Sequence, residues 1–178
     1  MSISAGDLVG LTAPSGAGKS TLLNALSGST VLAANKLFAT LDPTSRKLSL
    51  PSGRMVILTD TVGFIRKLPH RLVDAFRATL EETLVADLLL HVVDLSNPNF
   101  ENQMETTLEV LGELGADGKK IITVFNKIDL VQSDTEPIRG RVLDDRAEFV
   151  SSSKKIGLDS LGTTIDALLE LSLIHICR

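Results

Sequence analysis

Four short segments of the chain are almost continuously apolar, a pattern typical of strands buried on both faces of a sheet. They are residues 7–13, 55–59, 88–94 and 120–125. Two further strands are predicted, a weakly alternating edge strand at 46–51 and a last strand at 148–150. Segments with helical spacing of apolar residues lie between the strands, at 19–27, 69–87, 100–114 and 157–171.

This alternation predicts an α/β fold with a doubly wound, mostly parallel sheet and helices on both of its faces. Ligands of such sheets bind at the carboxyl ends of the strands. The 178 residues are enough for one domain with a full core, which we place at residues 1–171. The tail, residues 172–178, does not extend the last helical pattern cleanly, and we expect it to be non-native or disordered.

Composition narrows the classes of partner. The net charge is −4, which gives the chain no general attraction to nucleic acid. The aromatic residues are six Phe, with no Trp or Tyr, so the composition does not favour stacking on single-stranded bases either. The single Cys177 excludes an internal disulfide and fits a reducing cytosol. No apolar run reaches membrane-spanning length, and residues 1–6 are not a signal peptide. We therefore expect a cytoplasmic monomer with no membrane partner.

A glycine-rich loop stands between the first strand and the first helix, and it is the clearest candidate site. Backbone N–H groups of such a turn, with the positive end of the following helix, form a cradle for phosphate. We expect Lys19 to reach the β- and γ-phosphate oxygens as a catalytic residue, and Ser20 to be a ligand of Mg²⁺. The candidate nucleotide contacts in this loop are Ala13, Pro14, Ser15, Gly16, Ala17, Gly18, Lys19, Ser20 and Thr21.

A second motif of the form D-x-x-G closes the apolar run at 55–59. A carboxylate at Asp60 is placed to hold Mg²⁺ and its water shell opposite Ser20. The Gly63 N–H can approach a γ-phosphate, because glycine has no side chain in the way. The motif adds Asp60, Thr61, Val62 and Gly63 to the candidate nucleotide contacts.

A third motif, N-K-x-D, follows the apolar run at 120–125 and predicts a guanine-reading loop. The Asp129 carboxylate can accept two hydrogen bonds from the guanine N1–H and amino group, and adenine offers no such pair of donors. Asn126 can tie this loop to the phosphate loop, and the stem of Lys127 can cover the base. The candidate contacts are Asn126, Lys127, Ile128 and Asp129 and, in a backbone role toward the guanine carbonyl, Ser151, Ser152 and Ser153.

Residues 30–44 lack clear periodicity and predict a mobile loop that carries a switch hydroxyl. A hydroxyl there completes the Mg²⁺ shell only while the γ-phosphate is present, so it orders on triphosphate binding and is released on hydrolysis. Thr40 and Thr44 are the two candidates, and we favour Thr40 partly because of the family resemblance described below.

Other polar residues have a structural and a functional interpretation. His91 lies in the middle of an apolar strand and is predicted to be a satisfied core histidine rather than a catalyst. Several basic residues are interpreted either as solvated charges or as a surface for an RNA-rich partner: Arg46, Lys47, Arg54, Arg66, Lys67 and Arg71.

The segments around these motifs resemble the G domain of HflX-type GTPases. The resemblance covers roughly residues 18–170. It rests on L-F-A-T-L-D-P-T at 37–44, D-T-V-G-F-I-R at 60–66, L-P-H at 68–70, F-R-A-T-L-E-E at 76–82 and the segment 86–94, and F-A-T-L-D and D-T-V-G-F-I are its most specific parts. It implies a P-loop GTPase of the translation-factor class that acts in the cytoplasm on the large ribosomal subunit. On this resemblance Ser20 and Thr40 are Mg²⁺ ligands, Thr40 and Gly63 have catalytic roles, and the nucleotide contacts extend to Phe38, Ala39, Thr40, Leu41 and Asp42.

The resemblance also sets expectations about rate and extent. The family places an apolar residue after the D-x-x-G glycine, here Phe64, and a Phe cannot orient the attacking water, so we expect slow intrinsic hydrolysis. The loop departs from the family's usual G-Y-T-N-A-G-K-S, with Gly16 in place of an Asn that can help to hold potassium. Because the family carries its own N-terminal domain, we expect this chain to be a G-domain fragment.

Two other functions remain open at this point. The sequence of residues 14–20 also resembles the phosphate loops of ATP-using kinases and transporter ATPases, although the N-K-x-D motif indicates a guanine nucleotide. The third possibility is a nucleotide-binding module that no longer hydrolyses.

Overall fold

A computed structural model of the chain describes residues 7–28, 44–60, 84–113, 115–116, 118–131 and 146–176. The strands within these ranges are β1 Leu8–Thr12, β2 Thr44–Ser49, β3 Met55–Asp60, β4 Leu88–Asp94, β5 Lys120–Asn126 and β6 Ala147–Phe149. The helices are α1 Lys19–Ser27, α2 Phe100–Glu113 and α3 Leu158–Ile176, with a short 3₁₀ turn at Ile128–Leu130.

The strands form one six-stranded sheet in the order β2-β3-β1-β4-β5-β6. All neighbouring strands are parallel except β2 and β3, which form an antiparallel hairpin at one edge. The hairpin turns at residues 51–53, where the Gly53 N–H donates to the Leu50 carbonyl at 2.9 Å. The prediction of a doubly wound, mostly parallel sheet is therefore confirmed, including its edge strand.

Helices cover both faces of the sheet, because the central strands are apolar on both sides. On one face, α1 and α3 pack on alternate residues of the parallel strands and form the largest core cluster. On the other face, α2 contributes Leu111 to one small cluster, and Phe100 and Met104 to another. Six consecutive residues of β4 are buried, as its continuous apolar run predicts. Each fully buried Leu contributes about 1.5–3 kcal/mol of transfer free energy.

The helix and strand ends depart from the sequence-based bounds in a few places. The predicted helix 69–87 lies largely outside the described residues; Leu84 and Val85 are helical, but Asp87 already donates its N–H to the Leu8 carbonyl. The last helix does not end at Leu171, and its backbone continues to Ile176. The assignment of residues 172–178 as a non-native tail stays a prediction. Within the described ranges, no helix is long and apolar enough to span a bilayer.

The parallel strands bring the predicted motifs to one edge of the sheet. The register pairs Leu11 of β1 with Asp60 of β3, and Asp94 of β4 with Asn126 of β5. β1 lies between the parallel strands β3 and β4. In a doubly wound sheet the connections diverge beside such a strand, so the phosphate loop that follows β1 lies at this switch point. That position is where such folds bind ligands.

Candidate functional site

The phosphate loop joins β1 to α1 through a tight turn that requires glycine. Gly16 and Gly18 both adopt left-handed backbone angles, with φ of 87° and 92°. A Cβ on Gly18 would lie only 2.5 Å from Nδ2 of Asn126, whereas Gly16 faces open space. Gly18 therefore has two reasons to be glycine: its φ value and the close approach of the base loop.

The first turn of α1 has backbone properties that suit an anion. Its N-cap residue is Gly18, which provides no side-chain hydrogen bond to the first amides of the helix. These N–H groups have no partner inside the helix, and the helix dipole makes them electropositive. The loop therefore has the geometry of a phosphate cradle.

Lys19, Ser20 and Asp60 form the polar cluster at the start of the helix. The Ser20 hydroxyl donates to Oδ2 of Asp60 at 2.8 Å. The Lys19 ammonium lies 3.5 Å from Oδ1 of the same carboxylate. Burial lowers the pKa of Lys19 below its ordinary value, and the charge of Asp60 partly offsets that effect. A hydroxyl, a carboxylate and a desolvated cation thus converge at the mouth of the phosphate loop.

Asn126 links the base loop to the phosphate loop. Its Nδ2 donates to the Ala17 carbonyl at 3.0 Å. Its Oδ1 accepts from the Ser152 N–H at 3.1 Å and from the Ser152 hydroxyl at 2.8 Å. Asn126 and Ser152 are both buried, so these hydrogen bonds hold the base loop, the phosphate loop and residues 151–153 together away from water.

Lys127 makes a second link between the same loops. It is one of two non-glycine residues with positive φ among those described, at 65°. Its ammonium donates to the Gly16 carbonyl at 2.9 Å and to Oδ2 of Asp94 at 2.6 Å. The side chain therefore runs from the base loop, past the end of β4, to the phosphate loop.

The Asp129 carboxylate is exposed and is held from one side by serines. The Ser151 hydroxyl donates to Oδ1 at 2.6 Å, and the Ser153 hydroxyl lies 3.4 Å from Oδ2. The hydrogen bond from Ser151 holds the pKa of Asp129 below its ordinary value. The group is therefore an anionic acceptor at neutral pH.

The serine turn supports this loop through its backbone. The Ser151 N–H donates to the Ile156 carbonyl at 3.0 Å, and the Ser152 N–H donates to Oδ1 of Asn126. Of the three serine amides, only that of Ser153 has no hydrogen bond to another described residue. It is the amide left to meet a ligand.

Several predicted site residues lie outside the described residues. They are Phe38, Ala39, Thr40, Leu41, Asp42, Thr61, Val62, Gly63 and Phe64, together with the basic residues Arg66, Lys67 and Arg71. Of the remaining basic residues, Arg54 lies 3.6 Å from the carboxylate of Asp7, and Arg46 donates to the Ser45 carbonyl at 3.1 Å.

Sequence reasoning missed Asp94 and was wrong about one feature of His91. Asp94 closes an apolar strand just as Asp60 does, so the same signal was present in the sequence. His91 is fully buried, as predicted, but neither ring nitrogen has a hydrogen-bond partner in the described part of the chain, so it is not a satisfied histidine. Burial lowers its pKa to about 4.

Comparison with known proteins gives a consistent result. Residues 8–127 match the model of a family described as 50S ribosome-binding GTPase. The chain is similar to a GTPase HflX of Lacrimispora saccharolytica, 49% identical over 176 residues, which cover 99% of this chain and 40% of that protein. It is also similar to a GTPase HflX of Akkermansia muciniphila, 60% identical over 118 residues, which cover 66% of this chain and 27% of that protein.

A solved structure supports the same relationship. A GTP-binding protein of the archaeon Sulfolobus solfataricus, determined in complex with GDP, superposes with a TM-score of 0.72 and 28% identity. The match covers 91% of this chain and 52% of that one. The chain therefore spans about half or less of the length of these relatives.

Proposed function

The chain belongs to the family of 50S ribosome-binding GTPases, with a G domain of the HflX type, and we propose on that premise that it is a GTP-binding and GTP-hydrolysing switch. One contact within this chain gives the proposal its main structural support. Asn126 of the base loop donates to the Ala17 carbonyl of the phosphate loop at 3.0 Å. A site that reads guanine and a site that cradles phosphate are thereby held at a fixed separation, as a guanine nucleotide requires.

The phosphate end of the nucleotide lies, in this proposal, on residues 13–21. The amides of the loop and of the first turn of α1 donate to phosphate oxygens, and Lys19 neutralises the β- and γ-phosphates. Because Lys19 is desolvated, its charge acts on those oxygens with little screening.

The residues at the start of α1 also fit a Mg²⁺ ion. Ser20 Oγ and Asp60 Oδ2 are hard oxygen donors only 2.8 Å apart. The second oxygen, Oδ1 of Asp60, is buried and lies 3.5 Å from the Lys19 ammonium, and its lone pairs would accept a hydrogen bond from a metal-bound water. Ser20 would be a direct ligand, Asp60 would hold the water shell and Thr40 would complete the set. When bound, Mg²⁺ supplies charge neutralisation to the β- and γ-phosphates.

The base is read by the exposed carboxylate of Asp129. Its free acceptor sites receive the guanine N1–H and amino group, while the Ser153 N–H donates to the guanine carbonyl. The stem of Lys127 lies against the base, since its ammonium is fixed beyond it on Gly16 and Asp94. Adenine would leave the charged Asp129 without donors, which disfavours the ATP-using alternative.

The hydrolytic step relies on residues outside the described part of the chain. Gly63 and Thr40 are proposed to contact the γ-phosphate, and Phe64 offers no group that orients water. Hydrolysis by the chain alone is therefore slow, and a partner that completes the site accelerates it. The family description, 50S ribosome-binding GTPase, supports the large ribosomal subunit as that partner. A cytoplasmic location belongs to the same proposal.

The proposal is tested by competition of labelled GTP with unlabelled GTP, ATP and XTP, in the presence of Mg²⁺. The native chain should prefer GTP. Asp129→Asn should weaken GTP by at least about 100-fold, because a pair of hydrogen bonds to a charged acceptor is replaced by a mismatched donor and acceptor. The same variant should gain affinity for XTP.

A matched control for this substitution is Asp159→Asn, which removes an exposed carboxylate in the first turn of α3. It should bind GTP as the native chain does. Equal affinity of the native chain for GTP and ATP, or unchanged GTP affinity in Asp129→Asn, would overturn the proposal.

A further inference from the structure

We propose that Asp94 is a positioning residue of the nucleotide site, which acts by holding Lys127 across the gap between the base loop and the phosphate loop. The inference rests on the proposed function and extends it to a residue outside the three sequence motifs. Asp94 itself lies at the end of β4, between the strands that carry these two loops.

The geometry assigns each oxygen of Asp94 a separate task. Oδ1 accepts from the Ser96 N–H at 3.0 Å and from the Ser96 hydroxyl at 2.6 Å. Oδ2 accepts from the Lys127 ammonium at 2.6 Å. Ser96 thus fixes the rotation of the carboxylate, and the second oxygen is left in a defined place for Lys127.

The Lys127 ammonium then uses a second donor on the Gly16 carbonyl at 2.9 Å. One cation joins the end of β4 to the phosphate loop, while its own backbone belongs to the base loop. This bridge lies beside the one from Asn126 to Ala17, which leaves from the neighbouring residue and ends on the neighbouring carbonyl. Two adjacent bridges resist both separation and twisting of the two loops, and a single one resists only separation.

Stability of the fold alone is a poor explanation for this ion pair. The side chains of Lys127 and Asp94 are 30% and 16% exposed, so water partly screens the attraction. A lysine side chain has many rotamers, and fixing it is costly unless order at this position is useful. Asp94 orders Lys127 before the nucleotide arrives, which removes that cost from the binding step.

Loss of the carboxylate should therefore speed nucleotide release. In Asp94→Asn the ammonium keeps only the neutral Gly16 carbonyl, and Lys127 must be ordered by the nucleotide instead. We expect release of fluorescently labelled GDP, with Mg²⁺ present, to accelerate between about twofold and tenfold. Lys127→Met should have a similar or larger effect. The double variant should be no faster than Lys127→Met, because Asp94 acts through that side chain.

Asp87→Asn is the matched control, since Asp87 precedes the same strand at its opposite end. Its carboxylate accepts the Leu8 N–H at 2.7 Å, so the substitution replaces a charged acceptor with a neutral amide oxygen and weakens a hydrogen bond that supports the sheet. It should lower thermal stability without changing GDP release. Additive effects of Asp94→Asn and Lys127→Met, or faster release in Asp87→Asn as well, would overturn the positioning role.

Hydrogen exchange of the nucleotide-free chain separates this inference from the proposed function. Asp94→Asn should raise amide exchange in residues 13–18 and 127–131 together, and Asp87→Asn should not. Unchanged exchange in both loops would refute the bridge even if GTP binds. Absence of GDP binding by the native chain would refute the proposed function, and the exchange data would still decide whether Asp94 ties the loops.

Discussion

The Ser151 hydroxyl donates a 2.6 Å hydrogen bond to Oδ1 of Asp129, although the two residues lie on different loops. The same hydroxyl accepts the Lys154 N–H at 3.1 Å. Ser151 therefore connects the backbone of its own turn to the carboxylate that is proposed to read guanine. It orients that carboxylate and lowers its pKa.

Ser151→Ala should weaken GTP binding and change its dependence on pH. The pKa of Asp129 is held below its ordinary value chiefly by Ser151, so it should rise toward that value in the variant. Base reading needs the ionised form, so on acidification the variant should lose GTP at a higher pH than the native chain does. At neutral pH we expect about a two- to tenfold loss of affinity, for one hydrogen bond.

Calorimetric titration from pH 7 down to pH 4 measures both effects. Ser153→Ala is the control, because its hydroxyl lies 3.4 Å from the carboxylate and should contribute less. Identical pH profiles for the native chain and Ser151→Ala would contradict the assignment.

Gly18→Ala should abolish close packing between the phosphate loop and the base loop. The added Cβ would lie 2.5 Å from Asn126 Nδ2 at a residue whose φ is 92°. We expect a backbone penalty of about 1–2 kcal/mol in stability and, in addition, more than about a tenfold loss of GDP affinity as Asn126 is displaced.

Gly53→Ala separates these two effects. Its φ is 85°, but a Cβ there meets open space in the hairpin turn. Thermal unfolding should show a similar penalty for both variants, and equilibrium binding should show a loss for Gly18→Ala alone. If Gly53→Ala also lost GDP affinity, global strain rather than the contact with Asn126 would be the cause.

Ser20→Ala should uncouple nucleotide release from Mg²⁺. In the native chain, chelation of Mg²⁺ with EDTA should accelerate GDP release, since Ser20 would hold the metal that neutralises the phosphates. The variant should release GDP quickly even with Mg²⁺ present, so EDTA should add little. Stopped-flow fluorescence of labelled GDP measures these rates. Ser27→Ala, at the other end of α1, should respond to EDTA like the native chain.

His91 should make the fold less stable as the pH falls. Its pKa is lowered by burial to about 4, whereas the unfolded value is about 6.5. Between these values the unfolded chain binds the extra proton, so stability is fully present above pH 6.5 and declines toward pH 4. The loss at pH 5 should be about 2 kcal/mol relative to neutral pH, from 1.36 kcal/mol per pKa unit.

Urea unfolding at pH 7 and pH 5 tests this expectation, with His91→Leu as the comparison. The variant cannot take up a proton at this position, and it removes two ring nitrogens that lack hydrogen-bond partners among the described residues. Its loss of stability between the two pH values should be smaller by about the same 2 kcal/mol. Equal losses in both proteins would mean that His91 does not titrate as argued.

The carboxylates contribute to pH dependence in the same direction but at lower pH. Burial raises the pKa of Asp94, but the hydrogen bonds and charge of Lys127, with the bonds from Ser96, outweigh it and leave the pKa below its ordinary value. A carboxyl with a depressed pKa contributes stability above its unfolded pKa, near 4, and loses it as the pH falls further. These carboxylates therefore titrate below the interval from pH 7 to pH 5, and the comparison with His91→Leu separates His91 from the other groups that titrate within it.

Local sequence determined a large part of this protein. Continuous apolar runs predict β3, β4 and β5, because a strand covered on both faces needs apolar residues at every position. Glycine, lysine and serine in the phosphate loop, and N-K-x-D after a strand, specify their chemistry by residue type and short spacing. Those signals are contained within a few residues, so no tertiary information is needed to find them.

Tertiary structure decided which groups touch. The bond between Asn126 and Ala17 spans 109 residues, and that between Lys127 and Gly16 spans 111. Asp94 reaches Lys127 across 33 residues because β4 and β5 are parallel neighbours in register. Such contacts depend on strand order and on left-handed backbone at Gly18 and Lys127, which follow from the packing of the whole sheet. The sequence alone therefore predicted which groups make up the nucleotide site, and the fold decided which partners hold them in place.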